Sequence, residues 1–327
     1  MPVDVRAYRD GDERAILDLF ARSFPHAPRT LAHFDWKYRR NPYGNAHISL
    51  AFDDEGRLVG HYAAYLVPFR DSGRDLIAQQ VGDTMTDVSV RHIGRGPTTV
   101  FGRTALHFYE TFCENRVAFN YGFNAGNIQK LSTRFLRSDV VEPVSYRWRD
   151  MKTLRPISRA KRLMRGYRLQ LVKESTPEFD ALFARVANDY DFLVRRDAQY
   201  LQWRHLDAPD NLSFVVAIRK WRRLVGWSAF RVRDNHLTWG DALFDRRFPD
   251  APEVMLRHVA PQYGVSAIDG WFPPRPAWFA AILDANHFES RPQPQDLSLM
   301  CVPFTMTNAV ARMRESLYYT MSDSDLF

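Results

Sequence analysis

The chain has 327 residues, enough for two domains of ordinary size, and its 45% hydrophobic and 14% aromatic content excludes a disordered protein. Lysine plus arginine (45) exceeds aspartate plus glutamate (38), a basic excess that favours anionic partners. Its 2 cysteines, Cys113 and Cys301, are too few for a disulfide framework or a cysteine-based metal site, so we expect no metal and a reducing, cytoplasmic setting. No run approaches the ~18 apolar residues of a spanning helix, which leaves at most a peripheral membrane contact. In chain order, Val3 to Tyr8 reads as an edge strand and Gly11 to Ser23 as an amphipathic helix, with Ile16, Leu17, Leu19, Phe20 and Phe24 at helical spacing. Ile48 to Asp53 and Leu58 to Val67 read as strands joined by a turn at Asp53-Asp54-Glu55-Gly56. A strand over Ile77 to Val90, interrupted near Gly82, precedes a helix (about Thr98 to Cys113), a strand (Val117 to Phe123) and a further helix (about Gly126 to Leu136).

The segment Arg91-His92-Ile93-Gly94-Arg95-Gly96 lies between an extended stretch and a helix start marked by Pro97. Glycines let backbone turn sharply and approach a ligand, and the unpaired N–H groups of a first helical turn offer partial positive charge to an anion. This is the architecture of a phosphate-binding loop.

The second half of the chain repeats the first. Trp203-Arg204-His205 aligns with Trp36-Lys37-Tyr38 at an offset of 167, and Arg223-Leu224-Val225-Gly226 with Arg57-Leu58-Val59-Gly60 at 166. Leu182-Phe183-Ala184-Arg185 echoes Leu19-Phe20-Ala21-Arg22. Preserved order and spacing imply two copies of one fold. In the second copy the loop Asp245 to Pro252 has no glycine, so only the first copy offers an anion-binding loop, and the second either walls off an acceptor pocket or only stabilises the first. We expect domains at 1–150 and 169–327, joined by a basic segment at 151–168 that serves as a solvated linker or as a surface for anionic membrane or RNA.

The spacing Arg91-x-x-Gly94-x-Gly96 between strand and helix resembles the acyl-CoA pyrophosphate loop of the GNAT acetyltransferase superfamily, and the order of elements is the GNAT order. The resemblance implies an α/β (α+β) protein of two tandem GNAT-like domains, each a mixed, mostly antiparallel sheet flanked by helices. It further implies an N-acyltransferase using acetyl-CoA or another acyl-CoA, with Val88 and Val90 gripping the thioester carbonyl. Backbone N–H groups of Gly94, Arg95, Gly96 and Thr98 would hold the pyrophosphate, with Arg91 and Arg95 as charge partners and Asn124 and Asn127 on the pantetheine arm. Candidate reaction groups are Asp83 and His61 as base and Tyr121 as acid for the leaving thiolate. Asp87 is a further base candidate that reads rather as a turn residue capping the loop, His61 reads equally as a packed strand residue, and Trp36 and Trp203 read as core anchors. The acceptor is expected to be a small-molecule amine, such as an amino sugar or nucleotide-linked sugar. The alternatives are a FemABX-like transferase drawing on aminoacyl-tRNA, the one case in which nucleic acid is a partner, and a non-catalytic acyl-CoA-binding protein.

Overall fold

In the computed structural model, which describes residues 3–26, 29–210 and 212–327 apart from the side chains of Asn127 and Ile128, the chain opens with strand β1 (Asp4–Ala7) and helix α1 (Glu13–Ser23). The i, i+3, i+4 residues Ile16, Leu19 and Phe20 are the buried face of α1, while Phe24 lies beyond the helix and stays 43% exposed. A single turn, α2 (Leu31–Phe34), is capped by the Thr30 hydroxyl and widens into a π-helical turn over Asp35–Arg39. Then come β2 (His47–Phe52), β3 (Leu58–Asp71), β4 (Arg74–Thr86), α3 (Val100–Phe112), β5 (Phe119–Ala125), α4 (Gly126–Phe135) and β6 (Asp139–Pro143). The second half contributes β7 (Tyr146–Asp150), α5 (Arg159–Met164), β8 (Tyr167–Val172), α6 (Pro177–Tyr190), β9 (Phe192–Val194) and α7 (Ala198–Leu201), again followed by a π-helical turn, Gln202–Leu206. It continues with β10 (Phe214–Lys220), β11 (Arg223–Arg233), β12 (His236–Phe244), α8 (Ala251–Val259), β13 (Ala267–Trp271), α9 (Ala277–Ala285), β14 (Glu289–Arg291), β15 (Leu297–Pro303), α10 (Ala309–Ser316) and β16 (Leu317–Tyr318).

The chain forms two compact units that are not continuous stretches of sequence. Unit 1 comprises Met1–Pro68, Leu76–Pro143 and Gln295–Arg314, and unit 2 comprises Phe69–Asp75, Val144–Pro294 and Glu315–Phe327. The sheet of unit 1 runs β1-β2-β3-β4-β5-β15-β6, and that of unit 2 runs β14-β7-β13-β12-β11-β10-β8. Both are mixed and mostly antiparallel, with β4–β5 and β12–β13 as the parallel pairs, so the fold class expected from the sequence is the one observed. Each sheet holds a strand from the other half of the sequence: β15 sits between β5 and β6, and β7 between β13 and β14. The basic segment around Arg155 to Arg168 is built into unit 2 as α5 and the start of β8, where Arg162 is buried and donates to the Tyr167 carbonyl at 3.3 Å.

In unit 1 the strands are covered on both faces. Ala63 packs with Ile16, Leu19 and Phe20 of α1, while Tyr62 and Ala64, on the opposite face, pack with Ala105 and Phe108 of α3. Strand β4 ends at Thr86 rather than at Val90. The Asp87 carboxylate accepts the Ser89 N–H at 3.0 Å and so caps a 3₁₀ turn over Val88–Val90, which takes those residues out of the strand. Upstream, Asp83 adopts a left-handed φ of 50°, which breaks the regular strand alternation next to Gly82.

Candidate functional site

Strands β4 and β5 pair at only two positions, Gln79 with Asn120 and Gln80 with Tyr121. Beyond these β5 continues antiparallel to β15 as far as Ala125, and the β4 edge from Val81 to Thr86 is released from β5. A strand edge released inside a sheet leaves main-chain donors and acceptors for a ligand that can lie along it.

The glycine loop follows the same strand. Arg91 Nε donates to the Thr86 carbonyl at 2.9 Å, tying the loop to the end of β4. Gly94 and Gly96 have φ of 83° and 55°, and a Cβ at either would lie 2.6 Å from the Thr98 carbonyl oxygen or 2.8 Å from the Phe135 ring. Both conformation and space therefore require glycine. The Thr99 hydroxyl caps α3 by accepting the Gly102 N–H at 3.0 Å. The N–H groups of Gly94, Gly96, Val100 and Phe101 have no hydrogen-bond partner among the described residues. Of the expected phosphate donors, Gly94 and Gly96 are thus open. The Arg95 N–H donates to Thr98 Oγ1 at 3.1 Å and the Thr98 N–H to the Arg95 carbonyl at 3.2 Å, so both are engaged within the loop. Sequence reasoning passed over Val100 and Phe101, although Thr99 as a cap one residue before them is the signal that marks the first two helical N–H groups as orphans. The Arg91 and Arg95 side chains are exposed. Val88 is 63% exposed in the 3₁₀ turn, and the N–H of the buried Val90 donates to the Asp87 carbonyl at 3.1 Å.

The candidate reaction groups fall into two clusters. In the first, the Asp83 carboxylate accepts Lys37 Nζ at 2.6 Å and the Tyr38 hydroxyl at 2.8 Å, with the Lys37 and Asp83 side chains only 3% and 9% exposed. Burial pushes the Asp83 carboxyl upward, but the Lys37 ammonium, with Arg29 and the Tyr38 hydroxyl, outweighs it and holds the pKa well below the usual carboxylate range. His61 Nδ1 lies 2.7 Å from the Asp83 carbonyl oxygen and donates to it, which assigns the tautomer and leaves Nε2 as the acceptor, without a partner among the described residues. Burial drags the His61 pKa down to about 4, so its ring is neutral at neutral pH. In the second cluster, Tyr121 and Asn124 line a cavity of about 30 Å³ together with Tyr62, Tyr109 and Ser132, room for about one water. The Asn127 side chain lies outside the described residues. Asp87 is held by Arg22, whose Nε donates to it at 3.0 Å and whose Nη2 reaches the Leu58 carbonyl at 3.2 Å. This is a structural brace at the strand end.

Unit 2 carries the same frame. Gly82-Asp83-x-x-x-Asp87 recurs as Gly240-Asp241-x-x-x-Asp245. Arg185 repeats the role of Arg22, reaching Asp245 at 3.2 Å and the Leu224 carbonyl at 2.7 Å. The Asp83 counterpart, Asp241, accepts Arg196 Nε at 2.8 Å and Thr320 Oγ1 at 3.0 Å. The segment Thr320 to Phe327 fills the space beside it: Arg196 Nη2 donates to Asp323 at 2.6 Å, and Arg204 to the Ser322 and Phe327 carbonyls at 3.0 and 2.7 Å. The segment Thr320 to Phe327 therefore packs within unit 2.

Residues 4–130 match the family described as the acetyltransferase (GNAT) domain. This segment is similar to a GNAT acetyltransferase domain. Solved structures extend the likeness to the fold of nearly the whole chain. A GCN5-related N-acetyltransferase from Anabaena variabilis superposes with a TM-score of 0.69 at 12% identity, covering 92% of this chain and 72% of that one. The tandem GNAT protein from the clavulanic acid biosynthesis pathway superposes with a TM-score of 0.58 at 13% identity, over 92% of this chain and 98% of that one. An uncharacterized Escherichia coli protein, YchO, is 32% identical over 102 residues, which is 29% of this chain and 22% of that protein. The matched segment takes in β1 to β5, the glycine loop, α3 and both clusters of candidate groups, and GNAT domains generally use acyl-CoA. The open N–H groups of the loop and the released β4 edge fit such a ligand. Among the described residues, no helix is long and apolar enough to cross a membrane.

Proposed function

We propose that this GNAT protein transfers an acyl group, acetyl in the first instance, from acyl-CoA to the amine of a small molecule such as an amino sugar or nucleotide-linked sugar. The observation that carries the reading is the adjacency of a parallel β4–β5 pair that parts after two residues and a glycine loop with four open N–H groups at the end of the same β4. Acyl-CoA supplies an activated thioester carbonyl; a C–N bond forms, the C–S bond breaks, the amine gives up a proton and the departing sulfur takes one.

The chain's own residues then divide the work. The N–H groups of Gly94, Gly96, Val100 and Phe101 hold the pyrophosphate, Arg91 and Arg95 add charge, and Asn124 serves the pantetheine arm. Val88 and Asn127 remain cofactor-side candidates, whereas the N–H groups of Val90 and Thr98 are taken by the Asp87 and Arg95 carbonyls. Asp83, held as an anion by Lys37, fixes the electrostatics beside His61, whose Nε2 lone pair takes the amine proton. Tyr121 protonates the sulfur. General acid–base groups of this kind contribute roughly 10²–10⁴-fold in rate.

Thiol release from acetyl-CoA across a panel of amines tests the reading, with His61→Gln, Asp83→Asn and Tyr121→Phe alongside. Turnover by the parent, with kcat lowered roughly 10²-fold or more in the variants and acetyl-CoA affinity retained, is the expected result. Folded variants with unchanged turnover would remove these residues from the chemistry. Acetyl-CoA binding without release on any amine would favour a non-catalytic binding protein, and salt-sensitive tRNA binding in place of acetyl-CoA binding would favour the aminoacyl-tRNA route.

A further inference from the structure

Unit 2 contains a cavity of about 450 Å³ bounded by the end of β7, the 3₁₀ turn that follows it, α8 and the C-terminal end of α9. Four cationic side chains line it, those of Arg149, Lys152, Arg155 and Arg257, against a single carboxylate, Glu253. Arg149 is only 3% exposed. Its Nε and Nη2 donate to the Thr153 hydroxyl and carbonyl, each at 3.1 Å, while the buried Nη1 has no partner among the described residues. Arg257 is fixed by a 2.6 Å bond from Nε to the Arg155 carbonyl, and its contact with Glu253 is long, at 3.4 Å. Lys152 and Arg155 are exposed at the rim, and neither forms an ion pair among the described residues.

A buried guanidinium with an unused donor costs free energy, and like charges gathered around one cavity repel. Both terms reverse when an anion enters, since guanidinium groups bind phosphate oxygens through strong charge-assisted hydrogen bonds. The volume exceeds what a free phosphate needs and lies in the range of small-molecule sites. We propose that this cavity is a second ligand site, binding the phosphate or diphosphate group of a phosphorylated small molecule through Arg149 and Arg257, with Lys152 and Arg155 closing the rim. The site is independent of the acyl-CoA loop, which lies in the other unit and is built from other residues.

The test is calorimetric titration of the full chain with inorganic pyrophosphate and, separately, inorganic phosphate at constant ionic strength, on the parent and on Gly94→Trp, so that binding at the glycine loop is told apart from binding at the cavity. Binding is expected, tighter for pyrophosphate, and weakened roughly tenfold in Arg257→Gln and in the Lys152→Gln/Arg155→Gln pair. Acetyl-CoA affinity should be the same in those variants as in the parent. The rim pair is exposed and leaves the fold intact, so it stays informative should Arg149→Met or Arg257→Gln fail to fold. The proposal is overturned if the parent shows no binding at millimolar pyrophosphate, if the affinity is unchanged in the folded variants, or if an oligoribonucleotide rather than pyrophosphate is the ligand whose binding the rim pair weakens.

Discussion

Replacing Lys37 by methionine should destabilise unit 1 by about 3–5 kcal/mol at neutral pH, the cost of removing one partner from a buried ion pair. The structure sets this scale. Lys37 Nζ is 2.6 Å from Asp83 Oδ2 and the two side chains are 3% and 9% exposed, so solvent does little to screen the pair. Methionine keeps the apolar stem and leaves the carboxylate buried, with the Tyr38 hydroxyl among its remaining partners. Burial is the largest influence on the Asp83 pKa and acts upward, so loss of the ammonium raises the folded-state pKa. The folded variant then holds its proton to higher pH than the parent does, and the penalty relative to the parent shrinks as pH falls. Asp83→Asn in the same chain should recover most of the loss, because no uncompensated charge is left. Urea unfolding at pH 4 to 7, followed by hydrogen exchange of peptides from β3 and β4, separates unit 1 from unit 2. A loss below about 1 kcal/mol at pH 7, or a loss that does not change with pH, would refute the buried-pair account.

Other expectations follow from individual groups. The His61 pKa is lowered to about 4 from 6.5, so the unfolded chain binds more protons between those values; stability rises with pH across that window and is lost on acidification, by about 3 kcal/mol in total. His61→Gln should flatten that part of the stability curve, and parallel curves for parent and variant would contradict it. The thiols of Cys113 and Cys301 are both buried, and burial pushes the Cys113 pKa up to about 12. Neither should react with a maleimide in the native protein, and both should react in urea; prompt native labelling would be inconsistent with this packing. A Cβ at Gly240 would lie 1.9 Å from the Phe327 ring, so Gly240→Val should expel the C-terminal segment and expose it to carboxypeptidase. Unaltered resistance to digestion would contradict that contact.

Much of this was legible in the sequence for local physical reasons. The α1 stripe, the glycine loop and the β2–β3 turn are set by neighbours in the chain, and the repeat was visible because Trp36 and Trp203 hold equivalent buried places in equivalent π-helical turns. What escaped is non-local. Nothing in the stretch 297–303 says that it pairs with β5 and β6 rather than with strands of its own half, because register depends on partners far away in sequence. The Lys37–Asp83 pair joins residues 46 apart, and its only trace was the duplicated Gly-Asp-x-x-x-Asp pattern. The strand end was misplaced at Val90 because Val88 and Val90 have strand propensity, and the Asp87 side chain overrides it.

The central claim is that the glycine loop binds acyl-CoA, and calorimetric titration with acetyl-CoA tests it most directly, on the parent and on Gly94→Trp. At Gly94 φ is 83° and a Cβ would meet the Thr98 carbonyl oxygen at 2.6 Å, so the variant distorts the loop and carries an indole across the open N–H groups. The account predicts micromolar binding by the parent and at least roughly tenfold weaker binding by the variant, a loss of about 1.4 kcal/mol or more. Absence of binding by the folded parent, or equal affinity in the variant, would contradict it.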